Sequence, residues 1–133
     1  MEVKKVDIRD SRDVVTARQM GREMALKKGF GSADQTRFAT AISELTRNVI
    51  QYAGTGICTI ADQSDNNEIK IVTAVEDAGP GISDIDQALE QGYSTGGGMG
   101  AGLPGTKRLV QEFDIDSVPG HTVVTIVLRR KRI

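Results

Sequence analysis

The strongest constraint on this chain is a glycine run, Gly96-Gly97-Gly98-Met99-Gly100-Ala101-Gly102-Leu103-Pro104-Gly105, in which six of ten residues are glycine. Ordering so many glycines is entropically costly, so the missing side chains must permit something. They permit close backbone approach: bare N–H groups can wrap an anion, and the start of a following helix adds favourable partial charge. A flexible linker is the alternative, but Leu103, Leu109 and Val110 resume an apolar helical pattern at once. The run therefore reads as a phosphate-binding loop.

Around it the chain divides into short elements. Val3 to Ile8 alternates apolar and polar residues, the pattern of a half-buried strand. Asp10 or Ser11 can cap a helix running to about Lys28, with Gly29 as its stop and Ala17, Gly21 and Ala25 forming a close-packing face. Ser32-Ala33-Asp34-Gln35 has capping-box spacing and opens a second helix to about Tyr52, with Phe38, Ile42, Leu45 and Val49 as its core stripe. Residues 56–61 and 68–77 read as a strand hairpin, and 82–91 as a short helix. A helix follows the glycine run to about Phe113, and strands at 114–118 and 122–128 close the chain. Arg129 to Arg132 reads as a solvated basic end. Hairpins flanking a helical middle imply an α+β two-layer sandwich, a mixed, mostly antiparallel sheet covered on one face by helices.

The chain has 133 residues, expected to form one domain over 1–133. Net charge is −1 and the pI about 5.8, which argues against nucleic acid or an anionic membrane as partner. No apolar run approaches the roughly 18 residues of a membrane span, and the first residues lack a signal-peptide core. The lone cysteine, Cys58, excludes an internal disulfide, reads as a small buried hydrophobe rather than a reactive thiol, and fits a cytoplasmic protein. One Cys and one His are too few for zinc.

Two further motifs are weak taken singly. Glu44 and Asn48 lie one turn apart, about 100° from the centre of the second helix's stripe, on the edge between core and solvent. Asp77-Ala78-Gly79-Pro80-Gly81 places an acid at a strand end before a sharp turn. Spacing alone leaves a solvated pair and an ordinary turn as open readings.

In fixed order, however, Glu44-Leu45-Thr46-Arg47-Asn48, Asp77-Ala78-Gly79-Pro80-Gly81 and Gly98-Met99-Gly100-Ala101-Gly102-Leu103 resemble the asparagine box and two glycine boxes of the Bergerat-fold (GHKL) ATPases and kinases, over about residues 32 to 128. The resemblance implies the histidine-kinase-like ATPase fold and a Mg·ATP site. In it Glu44 orients or accepts the proton of an attacking hydroxyl, and Asn48 is the metal ligand. Asp77, Gly79, Gly81 and Thr122 receive adenine, while Thr95, Gly98, Met99, Gly100, Ala101, Gly102 and Leu103 hold the phosphates. Within the superfamily the chain resembles the small bacterial switch kinases of the stressosome. That implies serine/threonine phosphorylation of STAS-domain proteins and activation of an output protein such as a PP2C-type phosphatase. An anti-sigma-factor kinase and a nucleotide-gated binding module are the alternatives. His121 stands where such proteins often have glycine before the late threonine, and no basic residue precedes the glycine run. Lys107 could reach phosphate from within the next helix or be solvated.

Overall fold

In the computed structural model the described residues are 2–79 and 102–132. They form strand β1 (Val3–Ile8), helices α1 (Ser11–Lys27) and α2 (Ser32–Tyr52), and the strands β2 (Gly56–Asp62) and β3 (Glu68–Asp77). Helix α3 (Gly102–Leu109) and the strands β4 (Glu112–Val118) and β5 (His121–Lys131) follow. The sheet order is β1-β2-β3-β5-β4, and each of its four pairings is antiparallel. The short helix expected at 82–91 lies outside the described residues.

Helix α2 is the central element of the core. Phe38 and Ile42 are fully buried and Leu45 and Val49 nearly so, as the spacing of the stripe requires. Helix α1 packs against it at Gly21, where a Cβ would collide with Ile42 Cδ1 and lie 3.5 Å from the Phe38 ring. The glycine is therefore a close-approach position between two helices, flanked by buried Ala17 and Ala25. The other wall is the sheet face carrying Cys58, Ile60, Ile71, Val75, Val124 and Ile126. Burial pushes the Cys58 thiol up to about 12, so it is an inert small hydrophobe.

The helix ends settle the capping expectations. Asp10 caps α1 in a full capping box with Asp13. At the other end Gly29, with φ of 86°, lets Phe30 N–H donate to Ala25 O and Gly29 N–H to Leu26 O, a Schellman closure that buries Phe30. The expected capping box at Ser32 does not form. Gly31 is the N-cap of α2, without a side-chain cap bond. Buried Gln35 instead turns its side-chain N–H back to Phe30 O at 2.8 Å, because the anchored Phe30 presents that carbonyl to it.

The basic end is also not a free tail. β5 runs to Lys131, with Arg130 opposite Ile69 and Arg129 opposite Lys70 on β3. The Arg130 guanidinium stacks 5.6 Å from the centroid of Phe30, and Arg129 pairs with Glu112 at 3.3 Å. Helix α3 stops at Leu109, earlier than its apolar pattern suggests, because Phe113 and Ile115 are taken into β4 against the core.

Lys28 Nζ meets Asp62 Oδ2 at 2.8 Å, tying the end of α1 to the end of β2. Burial pushes the Asp62 carboxyl up, but hydrogen bonds from Lys28 and Ser64 outweigh it and hold the pKa at about 2, below the ordinary 3.8. A carboxyl depressed by folding contributes stability above its unfolded pKa and loses it as pH falls through the folded one. Solvent screening keeps the effect modest, so Asp62→Asn is expected to cost about 1 kcal/mol at neutral pH. In urea unfolding curves the gap to the unaltered chain should close between about pH 4 and pH 2.

Candidate active site

One row of residues crosses the helix-covered face of the sheet at the end of β3. Gly56, Asp77, Thr122 and Ser117 are successive cross-strand partners on β2, β3, β5 and β4. Below it the same face is apolar, with Cys58, Val75, Val124 and Ile115 in the next row. The row is thus a polar rim on an apolar foundation.

Asp77 is half-buried, and its Oδ1 accepts a hydrogen bond from Gly79 N at 2.9 Å. That bond closes a tight turn and fixes the carboxylate's direction. Gly79 O in turn accepts from Gly120 N at 3.0 Å, joining this turn to the β4–β5 hairpin. Thr122 is buried, and its hydroxyl lies 2.7 Å from Ser117 Oγ.

Helix α2 passes directly above this row. A Cβ at Gly56 would collide with Glu76 O and lie 2.7 Å from Val49 Cγ1 and 3.4 Å from Asp77 Cβ. The missing side chain lets Val49 sit down beside Asp77, which carries the neighbouring Asn48 with it. Asn48 and Glu44 are both half-buried on the α2 edge, as their angle from the stripe predicts. Arg47 Nη1 donates to Glu44 Oε1 at 2.8 Å. The structure therefore brings Asp77, Gly79 and Thr122 together at the end of the sheet on which Val49 is seated, with Asn48 next to Val49 in sequence and Glu44 one turn before Asn48 on the α2 edge.

Gly102 and Leu103 open α3, which packs against α2. Gly81, Thr95, Gly98, Met99, Gly100 and Ala101 lie outside the described residues. Lys107 is exposed and lines a different feature, an open groove of about 530 Å³ shared with Glu112, Asp114, Thr125 and Val127. Its sequence neighbour Thr106 is fully buried in the α3 packing.

Two residues of the row escaped the sequence reading. Gly56 reads only as a strand start; its signal is a glycine as the first residue of a strand rich in apolar and β-branched residues, where the missing side chain permits close backbone approach. Ser117 carried no local signal, because only the β4–β5 register places it opposite Thr122.

Residues 33–132 match the family of histidine kinase-, DNA gyrase B- and HSP90-like ATPases, and the chain belongs to that family of ATP-using proteins. It is 51% identical over 109 residues to the serine/threonine-protein kinase RsbT of Bacillus subtilis (strain 168), over 82% of each chain. On this kinship the chain is an RsbT-like serine/threonine-protein kinase. Among solved structures it resembles the RsbU and RsbW domains of a Mycobacterium tuberculosis protein, with a TM-score of 0.68 at 20% identity, over all of this chain and 34% of that one. It also resembles a mycobacterial sensor histidine kinase, MprB, with a TM-score of 0.57 at 19% identity, over 98% and 99% of the two chains. These two likenesses concern the fold.

Gly79 offers a direct check on how the row is held. A Cβ there would lie 2.6 Å from Ala53 Cβ, 3.1 Å from Ala53 Cα and 3.1 Å from Asp77 Oδ1. Gly79→Ala should therefore cost about 1–3 kcal/mol by overpacking. Adding Ala53→Gly should return part of that loss in thermal unfolding, since the nearer contact is then gone.

Proposed function

We propose that this chain transfers the γ-phosphate of Mg·ATP to a serine or threonine of STAS-domain proteins in a bacterial stressosome-type stress response. It then engages an output protein such as a PP2C-type phosphatase. The observation that carries this reading is the kinship with RsbT over most of both chains. The seat of Val49 of α2 beside Asp77 supports it, since Asn48 and Glu44 on the same helix edge would then share one cleft with the adenine acceptor. We propose a cytoplasmic location for the chain, as expected of a kinase of this kind. No helix among the described residues is long and apolar enough to cross a membrane.

Each residue's part follows from its chemistry. Asp77 is an acceptor-only carboxylate whose Oδ1 is tied to Gly79 N–H, and it would receive the adenine amino group. Thr122, at the other end of the same cross-strand pair, contributes a hydroxyl to the base edge. Gly79 and Gly81 let backbone close on the base. Thr95, Gly98, Met99, Gly100, Ala101, Gly102 and Leu103 supply backbone and side-chain donors to the triphosphate. Glu44 takes the proton from the substrate hydroxyl as its oxygen bonds to the γ-phosphorus and the bond to the β-phosphate oxygen breaks, leaving ADP.

Asn48 is suited to Mg²⁺, which neutralises charge on the phosphate oxygens when bound. Among the described residues no cluster of three His, Cys, Asp or Glu could hold a metal.

The deciding experiment is an intact-mass assay with Mg·ATP and a STAS-domain protein encoded near this chain. The STAS protein should gain one phosphate and this chain none. ATP binding without transfer to any such partner would leave a nucleotide-gated binding module, and a stable complex with a sigma factor would point to an anti-sigma kinase. Asp77→Ala should weaken ATP at least about tenfold by calorimetry, the worth of a charge-assisted hydrogen bond. Glu44→Gln should keep ATP affinity and lose roughly 10²- to 10⁴-fold in transfer rate.

A further inference from the structure

We propose that Arg47 is a positioning residue for phosphoryl transfer, holding the Glu44 carboxylate in the direction from which it meets the substrate hydroxyl. This rests on the reading of Glu44 as the base. The guanidinium donates to Glu44 Oε1 at 2.8 Å, one turn along the same helix. Among the described residues the bond reaches Oε1, and in this proposal Oε2 is the oxygen that meets the hydroxyl.

The exposures of the two partners are unequal, and the difference decides the argument. Glu44's side chain is only 15% exposed while Arg47's is 51%. A glutamate turns about three side-chain bonds, and a general base must stand within hydrogen-bond reach of the proton it takes. An ion pair with one partner in solvent contributes little to folding, so the bond's main effect falls on the direction and counter-charge of the enclosed carboxylate. Arg47 follows the buried Leu45 and Thr46 and is itself exposed, so its tie to the helix edge is the bond to Glu44. A charged hydrogen bond of this length adds orientation as well as energy.

The test is a set of four variants assayed for transfer to a STAS-domain protein: Arg47→Ala, Arg47→Lys, Glu44→Gln and the double Glu44→Gln/Arg47→Ala. Arg47→Ala should lower kcat about ten- to a hundredfold, the scale of a small misplacement of a catalytic group. The KM values for ATP and for the protein substrate, and the melting temperature, should stay unchanged. Arg47→Lys, which keeps a cation within reach, should recover most of the rate. The double variant should be no slower than Glu44→Gln alone, because Arg47 acts only through that carboxylate.

Unchanged kcat in Arg47→Ala, with Glu44→Gln slow, overturns the positioning role and leaves the base in place. A further loss in the double variant, or a loss confined to either KM, places Arg47 on phosphate or on the docked protein and also overturns it. Full rate in Glu44→Gln removes the base reading itself, and this inference with it.

Discussion

The closeness of α2 to the sheet is the constraint on which the rest of the structure depends. At the site end Val49 settles into the space left by Gly56, against the backbone of Glu76 and the Cβ of Asp77. Further along the same stripe Gly21 of α1 admits Ile42 and Phe38 in the same way. The one apolar stripe of the helix is seated on two surfaces that each give up a side chain to receive it. An edge residue on a helix lodged this deeply is neither core nor surface, which is the condition of Glu44 and Asn48. Their half-burial goes with the depth at which the neighbouring stripe is seated, which the two glycines permit. Close packing transmits such effects because protein interiors have few voids to absorb them.

Most of this architecture was legible because its signals are local or periodic. The α2 stripe, the alternation of β3 and the glycine stop of α1 each follow from spacing that one element imposes on itself. The acid-turn motif at Asp77 was legible for the same reason, as its bond to Gly79 spans only two residues. What escaped were features that depend on partners distant in sequence. Ser117 acquires its place from the β4–β5 register, and Arg129 to Lys131 read as a solvated end only until β3 and Phe30 stand beside them. The capping box assigned to Ser32 failed for a related reason. A locally adequate cap lost to a tertiary one, in which buried Phe30 fixes a carbonyl that Gln35 can reach.

The sheet also separates two kinds of chemistry along its strands. At one end stands the row Gly56, Asp77, Thr122 and Ser117. At the other, Lys28 pairs with Asp62 and Arg130 covers Phe30. Between them lie Cys58, Val75 and Val124, then Ile60, Thr73 and Ile126. Among these, Thr73 Oγ1 is the one buried side-chain oxygen without a hydrogen-bond partner among the described residues. The apolar rows keep the two charged ends from sharing partners, so the ionic contacts at the far end can stabilise the fold without holding the groups at the site.

That separation explains why a carboxylate at a strand end can still be well placed. Strand ends fray where pairing stops, and a functional acid there would wander with the backbone. Asp77 is the last residue of β3, yet it is paired on both sides, to Gly56 and to Thr122. The next backbone bond, from Gly120 N to Gly79 O, continues the tie beyond the strand. The acid therefore stands on a hydrogen-bonded ladder, and the turn glycine only aims it. By the same reasoning, the α2 edge owes its position to the apolar stripe beneath it, which leaves Arg47 free to act on the direction of one side chain rather than on the fold.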